Sequence, residues 1–157
     1  MSGAEASSES CFIDTNIWLY AFIEGDDSGK SARAKSLIET QGAIYVSTQV
    51  INEVCINLIK KAHFSEQQVH QLIESFYAKY VVVELSKPFL LKASALRELY
   101  AFSFWDSLIV SSALHADAAV LYSEDLQDGL VVENRVRIVN PLKQVQLTGE
   151  QSGGSSA

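Results

Sequence analysis

The residues of this chain best suited to chemistry are five acids, Asp14, Glu53, Asp106, Asp125 and Asp128. Asp14 directly follows the apolar run Cys11-Phe12-Ile13, and Asp125 follows a second apolar run, residues 118–122. Glu53 lies in the first turns after residues 43–46, and Asp106 comes shortly after Ser103. In an open parallel sheet, side chains at the carboxyl ends of strands and in the opening turns of the next helices converge on one edge. Asp14, Glu53, Asp106 and Asp125, distant in sequence, are therefore expected to share one rim. Without cations they would repel one another and push carboxylate pKa values upward. A hard divalent ion reverses that balance, because carboxylate oxygens and retained waters fill its shell. The chemistry expected of such a rim is in-line hydrolysis of a phosphodiester. One ion activates the attacking water, and the same ion or a second one stabilises the leaving 3′ oxygen. The products then carry 5′-phosphate and 3′-hydroxyl ends.

Smaller polar residues beside the acids are expected to hold them in position. Asn16 is placed to hold the Asp14 carboxylate or its loop, Thr15 to contact the same turn, and Ser123 to orient Asp125 or a bound water. Each acid also has a plain structural reading. Asp106 completes a capping box with Ser103, Glu53 is a favourable early-helix charge, and Asp125 and Asp128 form a turn before Gly129. Asp14 resists such a reading, because a charge between CFI and IWLY sits beside the sheet core and is expensive there without a partner.

The elements that must position these groups alternate along the chain. Strands are expected at Cys11–Ile13 and at residues 43–46, 80–84, 118–122 and 136–139, each apolar on both faces as a covered parallel sheet requires. Helices are expected at residues 31–40, after Ser47 or Thr48, after a Ser65/Gln68 capping box, from Pro88, and after Ser103. In the last of these, Trp105, Leu108, Ile109 and Ser112 are expected to face inward. The alternation predicts a three-layer α/β/α domain.

Composition bounds the rest. A chain of 157 residues that is 48% hydrophobic can build one full core without disulfides. A net charge of −7 opposes indiscriminate coating of a polyanion. Basic residues nevertheless cluster at Lys30/Arg33/Lys35, Lys60/Lys61/His63 and Arg135/Arg137, as phosphate contacts or as solvated faces. Cys11 and Cys55 lie in apolar surroundings and read as buried thiols, so a soluble cytoplasmic protein with no membrane segment is expected. His63, His70 and His115 share no ligand spacing. The crowded aromatics, Trp18, Tyr20, Phe22, Phe102, Phe104 and Trp105, fit core or dimer packing better than base stacking. Residues 1–10 and 149–157 read as flexible, leaving a folded unit over residues 11–148.

Four segments together, FIDTNIWLYAF, STQVINEV, FSFWDSLIVSSAL and VLYSEDLQDG, resemble the ordered motifs of PIN domains, and among them the VapC-like toxin ribonucleases of toxin–antitoxin pairs. The resemblance spans essentially the whole folded unit. It implies a five-stranded parallel sheet, with Asp14, Glu53, Asp106 and Asp125 as metal carboxylates and Asp128 sharing or replacing Asp125. Asn16 would be the asparagine of the DTN motif. It further implies magnesium or manganese dependence, endonucleolytic cleavage of RNA, homodimerisation and inhibition by a small antitoxin protein.

Rival functions fit less well. A phosphatase with an aspartate nucleophile wants a second aspartate two positions after the first, where this chain has Asn16. A receiver domain wants an aspartate ending its middle strand, where this chain has VVVEL. A catalytically silent PIN-like binding module would be suggested by loss of the acids, and all four are present.

Overall fold

The structure is a computed structural model that describes residues 9–25 and 27–143. Its strands are β1 (Cys11–Ile13), β2 (Ile44–Ser47), β3 (Val81–Val83), β4 (Val120–Tyr122), β5 (Val131–Val132) and β6 (Val136–Val139). Its helices are α1 (Thr15–Phe22), α2 (Ser28–Thr40), α3 (Thr48–Ala62), α4 (Glu66–Lys79), α5 (Lys87–Leu99) and α6 (Phe104–His115). The sheet runs β3-β2-β1-β4-β6-β5. The five expected strands pair in parallel, and β5 adds a two-residue antiparallel edge to β6. The sheet thus has six strands rather than the expected five. The chain turns back at Glu133 and Asn134, both with positive φ, and a hairpin this short leaves no periodicity to read.

Right-handed crossovers place α1 to α4 on one face of the sheet and α5 and α6 on the other. Extensive packing of α1 on α2 and α3, and of α5 on α6, agrees with this three-layer arrangement. The core is continuous through Phe12, Ile13, Trp18, Val46, Val54, Phe76, Leu96, Leu121 and Ile138, all buried. Trp18 anchors one face: its ring lies 5.0 Å from Phe76 and 4.9 Å from Tyr80, and its indole N–H donates to the Ile13 carbonyl at 3.0 Å. Burial of so large a ring accounts for several times the stabilisation of a single methylene. Both cysteines are free and buried, as expected, and burial pushes the Cys11 thiol up to about 12.

Helix α1 is not among the expected elements. Its run of aromatic and β-branched residues hides helical spacing, yet Asp14 serves as its N-cap and accepts from the Thr15 N–H. The Ser65/Gln68 capping box and the Ser47 and Ser103 caps are all present. Just before β1, the Ser10 carbonyl accepts from the Ala119 N–H at 3.0 Å. The expected C-terminal segment, residues 149–157, lies outside the described residues. Among the described residues, no helix is long and apolar enough to cross a membrane.

Candidate active site

Strand order reverses between β1 and β4: the chain leaves β1 toward β2 and leaves β4 toward β6. Such a switch point opens a crevice at the carboxyl ends of its strands. Asp14 stands there at the end of β1, its backbone N–H bonded to the Tyr122 carbonyl at 3.0 Å. Asp125 follows β4, Glu53 comes from the second turn of α3, and Asp106 from the first turn of α6. Four elements, drawn from all three layers, therefore deliver one carboxylate each.

Asp14 is buried. Its Oδ1 accepts from the Thr15 N–H at 2.8 Å and its Oδ2 from the Ser123 hydroxyl at 2.9 Å. Loss of water outweighs both bonds, and the charges of Glu53 and Asp106 add to it, so the Asp14 carboxyl is pushed up to about 6. Glu53 is clamped between the Thr15 hydroxyl at 2.7 Å and the Gln49 amide at 2.9 Å. Asp125 accepts from Asn16 Nδ2 at 2.6 Å. Partial burial, followed by the charges of Glu124 and Asp106, raises its carboxyl as well. The Asp106 backbone N–H donates to Ser103, while its carboxylate has no hydrogen-bond partner among the described residues. Asp14 thus senses the charges of Glu53 and Asp106, and Asp125 senses that of Asp106. Among the described residues, no three acids stand close enough to form a ligand shell by themselves.

Two of the supporting residues differ from expectation. Asn16 holds Asp125 rather than Asp14, because α1 turns it away from its own N-cap and toward the loop after β4. Ser123 holds Asp14 rather than Asp125, because the parallel pairing of β1 with β4 sets Ser123 beside the end of β1. Thr15 does contact its own turn, and it also reaches Glu53.

Asp128 is not brought to the rim. Its oxygens accept from the Asn140 N–H at 2.8 Å and from Lys143 at 3.1 Å, which together hold its carboxyl below the ordinary range. With Gly129 at φ +90°, Asp128 closes the turn leading into β5. Trp105 also departs from expectation: it is 62% exposed beside Asp106, while Trp18 lies wholly in the core.

Sequence reasoning missed two neighbours of the site. Gln49 sits one helical turn before Glu53, a spacing that could have identified it. Glu124 bonds Lys30 at 2.7 Å and the Tyr20 hydroxyl at 2.9 Å, tying α1 and α2 to the loop that carries Asp125. No local pattern marks that contact, since its partners lie far apart in sequence.

Three clefts open around the rim. One is lined by Asn16, Tyr20 and Lys61, another by Glu53 and Trp105, and a third by Asp106 and Asp125. Lys61 is the basic residue of the first, which Asn16 links to Asp125 through its hydrogen bond.

Comparison with known proteins agrees with this fold. The PIN domain model matches residues 11–127. No curated protein matches the chain significantly. Among solved structures, a toxin–antitoxin complex from Klebsiella pneumoniae superimposes with a TM-score of 0.64 at 21% identity, covering 83% of this chain and 97% of that one. VapC20 of Mycobacterium tuberculosis, described as a sarcin–ricin loop cleaving toxin, gives 0.61 at 17% identity, covering 73% and 89%. VapBC2 of Rickettsia felis, bound to a DNA fragment from its promoter, gives 0.57 at 19% identity, covering 83% and 99%. With a family match over most of the folded unit and the same fold in VapC-type proteins, the chain belongs to the PIN domain family.

Proposed function

We propose that the protein is a divalent-metal-dependent endoribonuclease, acting as the toxin of a toxin–antitoxin pair. The observation that carries this reading is the rim itself. Four elements bring one carboxylate each to the same edge of the sheet, and among the described residues none of the four has a basic partner. An all-oxygen donor set of this kind suits magnesium or manganese. Magnesium in particular is commonly held by one or two carboxylates, with waters completing its octahedron. Asp14 and Asp106 are the principal candidate ligands, with Glu53 and Asp125 flanking them. Asp128 is given no part in the site, because it is already neutralised by Lys143 whereas none of the other four has a basic partner among the described residues.

A bound ion supplies Lewis acidity at the phosphate and lowers the pKa of the attacking water. The protein's own groups fix where this happens. The Thr15 N–H and Ser123 orient Asp14, Asn16 orients Asp125, and Gln49 with the Thr15 hydroxyl holds Glu53. Lys61, on the wall of the adjoining cleft, is placed to meet backbone phosphates. RNA cleavage then yields 5′-phosphate and 3′-hydroxyl ends in the cytoplasm.

The test is cleavage of RNA by purified protein in magnesium or manganese, compared with excess chelator. Loss of cleavage in D14N and D106N, with thermal melts showing both variants folded, is the expected result. Strong cleavage in chelator, or none with either metal, overturns the reading.

The partners follow from the same proposal. The Klebsiella pneumoniae neighbour is a toxin–antitoxin complex, which supports a small antitoxin here. Leu91 and Leu99 of α5, 60% and 75% exposed, support association into a homodimer. A genomic neighbour that neither binds the protein nor suppresses its RNA cleavage counts against the antitoxin, and a monomeric mass in light scattering counts against the dimer.

A further inference from the structure

The cleft beside Glu53 is the widest of the three, about 490 Å³, and Trp105 forms one wall while Gln49, Asn52 and Glu53 of α3 form another. Its volume falls within the range of small-molecule sites, roughly 300–1,000 Å³. Two independent features point to an occupant. The Trp105 ring is largely exposed although its neighbour in sequence, Asp106, belongs to the rim. Gln49 is more than nine-tenths buried, and its Oε1 has no hydrogen-bond partner among the described residues. The Gln49 amide nitrogen is engaged, donating to Glu53 at 2.9 Å and toward the Trp105 carbonyl at 3.5 Å. A buried acceptor without a donor destabilises the fold unless something supplies the donor.

We infer that this cleft receives one unpaired nucleobase of the RNA, next to the phosphate to be cut. The base stacks on Trp105, presents its edge to the Asn52 carboxamide, and donates an N–H to Gln49 Oε1 once the buried Gln49 side chain turns toward the cleft. Aromatic faces accept any base, while carboxamides read the polar edge. Because Gln49 also holds Glu53, filling the cleft and ordering the rim are coupled through one side chain. This inference rests on the nuclease reading for its substrate class. It adds that the substrate must offer an unpaired base, and it assigns Trp105, Gln49 and Asn52 to substrate choice.

The test uses D14N, which keeps the strand intact. An RNA hairpin with a randomised loop is titrated in magnesium while tryptophan emission is followed. The chain has two tryptophans and Trp18 is buried, so quenching reports Trp105. Saturable quenching is expected, with affinity at least about tenfold weaker for the same hairpin carrying an abasic loop. Read by anisotropy of the end-labelled hairpin, since these variants lack the Trp105 emission, adding W105A should weaken binding roughly ten- to a hundredfold, and W105F should restore most of it. In the wild-type background W105A should raise KM more than it lowers kcat.

Equal affinity for abasic and base-bearing loops overturns the inference. So does a W105A variant that binds RNA normally; if that variant also falls from dimer to monomer in light scattering, the cleft is instead an interface between copies. The two readings fail separately. Base-dependent quenching without cleavage by the wild-type protein removes the nuclease and leaves the base site, whereas cleavage indifferent to W105A does the reverse.

Discussion

Acids at the rim and acids elsewhere on the surface are treated in opposite ways. Away from the rim, Glu133 meets Lys92 at 2.6 Å, Asp128 meets Lys143 at 3.1 Å, Glu24 meets Lys35 at 3.4 Å, and Asp117 meets Arg135. At the rim, among the described residues, Asp14, Glu53 and Asp125 have only hydroxyl, amide and backbone donors, and the Asp106 carboxylate has none. The surface pairs are largely solvated and contribute little stability each. The rim instead gathers negative charge at a switch point where one carboxylate is buried, and that arrangement costs stability. Asp125 and Asp128, three residues apart, show the contrast at shortest range: burial and like charges raise one, while an amide and a lysine lower the other.

The comparison breaks most sharply at the ligands. D106N should reduce metal-dependent cleavage by at least about a hundredfold, since losing even an outer-shell partner of a metal site costs roughly ten- to a hundredfold. Cleavage assays at saturating manganese check this, and activity within a few fold of wild type would place Asp106 among the ordinary surface acids.

A stability measurement sharpens it next. With Asp14 at about 6 in the fold against an ordinary 3.8, the folded state binds this proton more tightly than the unfolded chain. In chelator the protein should therefore lose stability as pH rises from about 4 to about 6, by about 3 kcal/mol for this group alone. D14N should remove that loss, being more stable than wild type at pH 7.5 and equal to it near pH 4, as read by urea melts. Manganese should then raise the Tm of the wild type and leave that of D14N unchanged.

Smaller effects are expected from the groups that aim the acids. S123A and N16A should each weaken metal affinity about tenfold, measured by calorimetry. S123A should also destabilise by about 1–2 kcal/mol, because it strips donors or acceptors from both Asp14 and the Leu126 N–H. Smallest of all, D128N should leave metal affinity and cleavage unchanged and lower Tm slightly through its lost ion pair with Lys143, its remaining amide oxygen still accepting from the Asn140 N–H. A large loss of activity in D128N would erase the distinction between the two acidic regions.

Much of this was legible before folding was considered. Apolar runs ending in acids marked β1 and β4, and the caps at Ser47, Ser65 and Ser103 marked their helices, because both signals act over a few residues. Helix α1 was obscured by aromatic and β-branched residues, whose local preference is overridden by packing of Trp18 on Phe76 and Tyr80. Strand β5 was too short to show a period.

The order and chemical type of the four acids, and the apolar runs that carry them to one edge, are properties of the sequence alone. Which acid each helper touches was decided only in three dimensions. Ser123 reaches Asp14 because β1 pairs with β4, and Asn16 reaches Asp125 because α1 turns it outward. The same holds for the two tryptophans: identical side chains, one sealed into the core and one exposed beside Asp106. Local sequence dictates backbone periodicity, but contacts between residues about a hundred positions apart depend on strand order and crossover hand, which no short stretch encodes.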